Sequence, residues 1–338
     1  MNLVDFKDKV VEIRQAIDRA KTILLHLHPS PDPDSVGSVL ALAEYCDSLG
    51  KMVTVIGGDS ELSTTMAIVP GFDRILSKSY ADINPADFDL FLILDSGAVG
   101  MISKKGEVVF PANMTTVVID HHATNTGYGQ INLINTEAPA TAQIVHELLA
   151  EWGATITTAM ASNLYAGLHG DTGGFRYGNT TPRTMVVASK LLEINPLATK
   201  LILDMGRAFP KGLLRYKALA FSVIEEILAG RGALITLSYD DLNKAGIDLA
   251  DTEAASLSNE LLSVKDWLLG VTLVEKEAGR VRVSLRSKDA NLLDVSKVAV
   301  ALGGGGHPLA AGILLLMPID EAKEKVIEMI EKNFTKLT

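Results

Sequence analysis

The chain has 338 residues, 47% of them hydrophobic and 21% charged, with a mean hydropathy of +0.23, which is enough for two domains with proper cores. A formal charge of -10 and a pI near 5.2 argue against a protein that coats long duplex nucleic acid by neutralising phosphates. They leave room for a local pocket that takes one short anion. The single cysteine, Cys46, excludes an internal disulfide. The amino-terminal stretch carries charges at helical spacing without a signal-peptide core, and no run nears the roughly 18 apolar residues of a membrane span. The reading is a cytoplasmic protein with no membrane partner.

Residues 10–20 have helical amphipathic spacing, and 22–27 read as a strand. Next comes His28-Pro-Ser-Pro-Asp-Pro-Asp-Ser-Val-Gly-Ser38, whose prolines forbid regular structure at its start. A helix follows from Ser35 and stops at Gly50, a good terminator. Residues 51–56 and 88–94 are further strands, the latter ending in Asp95-Ser-Gly97. Thr116-Val-Val-Ile-Asp-His-His122 is a short run of β-favouring residues ending on an acid and two imidazoles. The alternation of strand and helix predicts parallel βαβ units. Helical patterns then cover 141–150, 157–168, 183–192 and 212–229, interrupted by the glycine-rich loop Asp171-Thr-Gly-Gly-Phe-Arg-Tyr177. Strands return at 233–238, 271–275 and 281–287, followed by a helix at 295–302, Gly303-Gly-Gly-Gly-His307, a strand at 312–316 and a last helix at 319–333. The expected fold is α/β: a parallel-sheet catalytic domain over 1–190, a helical connector over 191–230 and a smaller mixed α/β domain over 231–338.

Four segments place acids or imidazoles after a strand or helix end: His28/Asp32/Asp34, Asp95, Asp120/His121/His122 and Asp171. Ligands in open α/β sheets bind beyond the carboxyl ends of the strands, so these groups converge on one edge. Each alone has a plain structural reading, as an exposed turn, a cap or a loop brace. Together, carboxylates mixed with imidazoles and no thiolate suit Mn²⁺ or Mg²⁺ better than structural zinc. They are too many for one ion. Two ions about 3.5–4 Å apart would share a bridging carboxylate and clamp both oxygens of an in-line phosphoryl displacement.

These residues resemble the DHH/DHHA1 phosphoesterases over nearly the whole chain. The matches are His28 to Ser38, Leu94-Asp-Ser-Gly97, Asp120-His-His-x-x-Asn125, Gly170-Asp-Thr-Gly173 and Gly304-Gly-Gly-His307, in the family's order. The resemblance implies His28, Asp32 and Asp95 on one metal and Asp34, Asp95, His121 and Asp171 on the second, with Asp95 bridging. It implies that His122 faces the scissile phosphate and that Asp120 orients the histidines. Gly304, Gly305, Gly306, His307 and Arg286 would grip the substrate's terminal phosphate, in a cleft between the two domains. Two departures stand out: Pro139-Ala-Thr-Ala-Gln143 lacks the acid common in the family after the histidines, and Asp34 is followed by Ser35 rather than Ala or Gly.

Within the family, the short architecture resembles oligoribonuclease-type enzymes that also dephosphorylate 3′-phosphoadenosine 5′-phosphate. The leading expectation is Mn²⁺-supported hydrolysis of very short oligonucleotides to mononucleotides, by a chain that family resemblance makes a homodimer. The rival is a phosphodiesterase of cyclic or linear signalling dinucleotides. An inorganic pyrophosphatase shares the Asp-His-His half but not the glycine-rich motif, and a silent nucleotide-binding sensor would not need every ligand position filled. His26, His146 and His169 read as packing residues, Asn125 and Arg176 as supports of the site, and Trp152 and Trp267 as core.

Overall fold

The computed structural model describes residues 3–60, 62, 64–207, 210–252 and 256–334, and the chain forms two compact units, Met1–Ala208 and Phe209–Thr338. In the first, α1 (Leu3–Arg19) leads into β1 (Thr22–His26), α2 (Pro33–Ser48), β2 (Met52–Ile56), β3 (Leu90–Leu94), β4 (Thr115–Asp120) and β5 (Ile131–Ile134). Then come α3 (Thr141–Glu151), α4 (Thr158–Asp171), α5 (Pro182–Ile194) and α6 (Ala198–Met205). The strands form one parallel sheet in the order β2-β1-β3-β4-β5.

Strand alternation divides the apolar side chains of this sheet between two faces. Ile23, Leu25, Leu90, Leu92, Val117 and Ile119 pack against residues of α1 to α5. Leu24, Ile56, Phe91, Ile93 and Val118 face the other way, against Tyr80, Ile102 and Met114. Those last three residues explain a departure from the expected alternation. Among the described residues only α2, between β1 and β2, is a crossover helix; the connections β2–β3, β3–β4 and β4–β5 carry no α-helix there. Apolar side chains of the connecting loops seal the second face, while α1, α2 and the helices after β5 cover the first.

In the second unit, α7 (Lys211–Ser222), β6 (Ile224–Ile227), β7 (Gly232–Leu237), α8 (Tyr239–Lys244) and α9 (Leu257–Leu261) precede the long hairpin of β8 (Leu269–Glu277) and β9 (Arg280–Ser287). The unit ends with α10 (Val295–Ala301), β10 (Gly305–His307), β11 (Ala310–Leu315) and α11 (Ile319–Asn333). Its sheet runs β10-β11-β9-β8-β7-β6, antiparallel except where β7 meets β8. One face buries Val281, Val283, Leu285, Ala311 and Ile313 under α10 and α11. On the other face, Ala233, Ile235, Leu237 and Val274 pack against residues of α7 to α9.

The helix expected over 212–229 stops at Ser222, and the last part of that stretch is strand β6. Leu228, Ala229 and Gly230 all have positive φ, a left-handed turn that reverses the chain into β7 and forbids a continued helix. The 191–230 stretch is therefore divided: α6 belongs to the first unit, α7 and β6 to the second. The short elements β5, α6, α8, α9 and β10 are too brief to show a periodicity in the sequence.

Candidate functional site

The carboxyl end of the first sheet is built from the helix packing upward. Gly37 on α2 lies against the backbone of α4, where a Cβ would come within 2.2 Å of the Asn163 carbonyl oxygen. Gly167 on α4 faces back, where a Cβ would sit 2.7 Å from Asp34 Oδ1. The two glycines let α2 and α4 approach closely, so that Asp34 in the first turn of one and Asp171 at the end of the other serve one site. Asp32 caps α2, its Oδ1 accepting from the Asp34 and Ser35 amides at 3.0 Å each. Asp34 is fully buried and caps a different helix: it accepts from the Thr141 and Ala142 amides at 2.6 and 2.9 Å, and from the Ser38 hydroxyl at 3.2 Å. The first turn of α3 has no side-chain cap of its own, since Ala140 occupies that position. The buried acid supplies it.

Asp95 follows β3 with φ +53, a left-handed conformation that Asp tolerates better than most residues. The turn is held by its amide to the Ile119 carbonyl at 3.0 Å, and by Tyr128 and Asn125 donating to the Ser96 carbonyl at 2.8 and 3.3 Å. Its buried carboxylate then faces two ways. Oδ2 lies 3.3 Å from His28 Nε2, and Oδ1 lies 3.5 Å from His121 Nε2 and accepts from the Thr141 hydroxyl at 3.1 Å. His28 Nδ1 is engaged by the Pro29 carbonyl at 3.1 Å, which leaves Nε2 turned inward. His121 Nε2 also approaches Asp171 Oδ2 at 3.3 Å. Asp120, wholly buried at the end of β4, accepts from the His121 amide (2.9 Å), His122 Nδ1 (2.7 Å) and Asn125 Nδ2 (2.6 Å).

The electrostatics follow from so many acids in one place. Burial drives the Asp34 carboxyl well above its ordinary range, reinforced by the charges of Asp95 and Asp171. Burial, then Asp32 and Asp95, lifts Asp171 to about 7. Asp95 is the exception: burial pushes it up, but hydrogen bonds from His121 and His28 outweigh that and hold it below the usual range. Burial pulls His28 and His121 down, yet contact with Asp95 and the surrounding carboxylates carries each to about 9. Two imidazolium protons thus stand in for positive charge that the acids require.

The donor set fits divalent cations. His28, Asp32 and Asp95 offer ligand atoms within 4.8 Å of one another, as do Asp34, His121 and Asp171. Asp95 borders both groups through its two oxygens. Asp95, His121 and His122 form a third such group. There, however, the His122 nitrogen that lies 3.7 Å from Asp95 is Nδ1, already committed to Asp120 at 2.7 Å. His122 is better placed as a donor than as a ligand. Its side chain is 43% exposed, and the hydrogen bond to Asp120 raises its pKa against some loss to burial.

The remaining histidines take the packing roles expected of them. His26 is buried, with Nε2 3.3 Å from Ser96 Oγ, its ring edge-on to Phe91 and its pKa lowered by burial to about 3. His146 is likewise buried and lowered to about 4, and His169 packs on Tyr165 and Phe175. Trp152 stacks on Tyr45, and Trp267 lies against the core of the second unit. Asn125 supports Asp120, whereas Arg176 donates to the Gly173 carbonyl. Gln143, in place of the family's acid, is buried and bonded to Glu147 and Thr184; Arg183 completes the group from α5 through Glu147. Thr141 and Tyr128 join the site without any signal in the sequence, because neutral hydroxyls distant in the chain carry no motif of their own.

In the second unit the expected phosphate loop is an edge strand. Gly305 pairs with Gly312 and His307 with Ala310, which in turn pairs with Arg286 on β9. Arg286 and His307 therefore share one row and one face of the sheet. Gly304 and Gly306 are demanded by packing: a Cβ at Gly304 would fall 2.3 Å from the Gly312 carbonyl oxygen, and Gly306 has φ +143. Arg286 is half-buried, and burial and then the neighbouring charge of Arg282 lower its pKa.

Sequence comparison matches the DHH family, N-terminal domain, to residues 22–168 and the DHHA1 domain to residues 239–336. The chain is 31% identical over 293 residues to the probable bifunctional oligoribonuclease and PAP phosphatase of Streptococcus mutans, covering 86% of this chain and 88% of that protein. It is 29% identical over 332 residues to the bifunctional oligoribonuclease and PAP phosphatase of Thermus thermophilus, covering 97% and 94%. The crystal structure of an exopolyphosphatase-related protein from Bacteroides fragilis superimposes with a TM-score of 0.89 at 25% identity over 98% of each chain. With its acids and imidazoles gathered at the end of a parallel sheet, the chain belongs to the DHH family of metal-dependent phosphoesterases and carries a DHHA1 domain as its second unit.

Proposed function

We propose that this protein is a two-metal phosphodiesterase and phosphatase that hydrolyses very short oligonucleotides to mononucleotides and 3′-phosphoadenosine 5′-phosphate to AMP. The observation that carries the reading is Asp95, a buried carboxylate whose two oxygens face His28 on one side and His121 on the other. Its backbone is held left-handed to do so. The names of the curated relatives point to the same substrates.

His28, Asp32 and Asp95 would hold one ion, and Asp34, Asp95, His121 and Asp171 the second. Mn²⁺ is favoured by the mixed oxygen and nitrogen donors, with Mg²⁺ the other candidate. Bound there, the ions supply Lewis acidity that polarises a phosphoryl oxygen and acidifies a water. As an imidazolium favoured by Asp120, His122 would donate from Nδ1 to Asp120 and from Nε2 to a phosphoryl oxygen, stabilising charge as it develops. Asp120 fixes that ring, and the orientation survives because Asn125 and the His121 amide hold Asp120 in turn. Arg286, His307 and the 304–306 glycines would bind the substrate's terminal phosphate.

The test is hydrolysis of 5′-phosphorylated RNA of two to ten nucleotides, 3′-phosphoadenosine 5′-phosphate, cyclic di-AMP and pyrophosphate, with Mn²⁺ and with chelator. Preference for the shortest RNAs, with mononucleotide release only when metal is present, is the expected result. Cleavage confined to the cyclic dinucleotide would replace this function with a signalling one, and absence of turnover on every substrate would remove it.

A further inference from the structure

Asp34 and Asp95 come to the site from different segments, and both are tied to one residue of a third. Thr141, which opens α3, donates its amide to Asp34 Oδ2 at 2.6 Å and its hydroxyl to Asp95 Oδ1 at 3.1 Å. Its side chain is fully buried. A buried hydroxyl costs free energy unless it is bonded, and valine would fill nearly the same space without that cost. The hydroxyl is worth keeping here for its bond to Asp95.

That bond differs in kind from the other contacts of Asp95. The carboxylate also faces His28 Nε2 at 3.3 Å through Oδ2 and His121 Nε2 at 3.5 Å through Oδ1. An imidazole nitrogen that coordinates a cation has no proton to donate, so both contacts lose their proton when these histidines act as ligands. Thr141 stands outside the proposed ligand set and keeps its proton. Its bond is left to fix the rotation of the carboxylate. The hydroxyl is itself mounted firmly. Asp34 holds the Thr141 and Ala142 amides, while Gln143 accepts from Thr184 of α5 at 3.1 Å and donates to Glu147 at 3.0 Å. Arg183 closes this group on Glu147 at 2.6 Å.

We infer that Thr141 is a positioning residue that couples the two ligand groups, setting Asp95 with one oxygen toward each and holding Asp34 beside it. This rests on the two-ion reading of the site and deepens it. The ligands come separately from the segments after β1, β3 and β4 and from the end of α4, and the first turn of α3 ties two of them together. The hydroxyl acts through Asp95 and has no need to touch the substrate.

Thr141→Val removes the hydroxyl and keeps the amide that serves Asp34. Mn²⁺ binding to the full chain is measured by calorimetry and equilibrium dialysis, beside kcat and KM on a 5′-phosphorylated dinucleotide. Wild type should take up two ions. In Thr141→Val the affinity for one of them should fall by about ten- to a hundredfold, and kcat by a similar factor, with KM within about threefold of wild type. Thr141→Ser restores a hydroxyl at the same place and should recover the lost affinity to within about threefold of wild type. Thr141→Ala replaces the valine variant should that one fail to fold. Wild-type Mn²⁺ affinity at both sites without the hydroxyl would overturn the inference, even if the metal-free melting temperature fell, since the hydroxyl would then serve packing alone. A serine variant no better than valine would also overturn it. Fewer than two ions on the wild type would overturn the two-ion reading and the coupling with it, a failure distinguished by its appearance before any substitution.

Discussion

The carboxyl end of the first sheet and the open face of the second solve opposite problems. At the first, the buried acids are held by several donors: Asp34 accepts from two helix amides and a hydroxyl, Asp120 from three donors, and Asp95 from Thr141. The groups are buried acids held by residues far apart in the chain. At the second, the open surface is marked by side chains that are missing, and the strands there have room for a Cβ at Gly305 and Gly312. A site for positioning cations needs over-determined ligands, because a carboxylate free to rotate loses affinity to its own entropy. The open face of the second sheet instead leaves room beside Arg286, where Gly305 and Gly312 carry no side chain. The first region should therefore fail abruptly when altered and the second by degrees.

The largest effect is expected at Asp95. Asp95→Asn keeps the shape and the Thr141 contact but removes the charge that His28 and His121 share. Turnover should fall by about three orders of magnitude or more, and the number of ions bound per chain should drop below that of wild type in equilibrium dialysis. Full activity with the same ion count would show that the two donor groups work independently, and the contrast between the regions would lose its basis.

Gly167→Ala sharpens the comparison by setting stability against function within one residue. In an exposed helix, Gly to Ala stabilises by roughly 1 kcal/mol. Here the new Cβ meets Asp34 Oδ1 at 2.7 Å and Ala142 Cβ at 2.9 Å, and overpacking of that kind costs about 1–3 kcal/mol. The two nearly offset, so the melting temperature should fall by only a few degrees. Metal affinity should fall by about tenfold if, as proposed, the displaced atom belongs to a ligand. Unchanged affinity would mean that Asp34 serves only as the cap of α3.

Much of the first region is legible in the amino-acid sequence itself. Asp32, Asp34, Asp95, His121, His122 and Asp171 are charged groups at the ends of strands and helices, where periodicity stops and chemistry remains visible. The non-local uses of those groups are not legible there. Asp34 caps a helix 107 residues away, and nothing near Thr141 announces that its hydroxyl braces Asp95. The glycines split along the same line. Gly37 and Gly167 matter for a helix contact that exists only in three dimensions, and β10 has the sequence of a loop because glycine has little intrinsic preference for a strand. The 212–229 stretch misleads for a third reason: Ile224-Glu-Glu-Ile227 continues a helical pattern, and only the left-handed turn at 228–230 makes it a strand.

The smallest expected effect concerns the protons that substitute for cations. In metal-free protein, His28 and His121 hold pKa values of about 9, above the roughly 6.5 of an unfolded chain. A group whose folded pKa is raised stabilises the fold fully below its unfolded pKa and loses that contribution as pH climbs through the folded one. Asp171, at about 7 when folded, adds a loss in the same direction that is mostly spent by neutral pH. The metal-free melting temperature should therefore fall by several degrees between pH 6.5 and 8.5. Cations need those same imidazoles and carboxylates deprotonated, so the stabilisation given by a fixed excess of Mn²⁺ should grow over that interval, and titration near pH 7.5 should release protons. In Arg286→Ala, where the change lies in the second unit, both trends should be unaltered. A metal-free melting temperature that is flat with pH, or an Mn²⁺ shift that does not grow, would mean that the acids are balanced by something other than these two histidines.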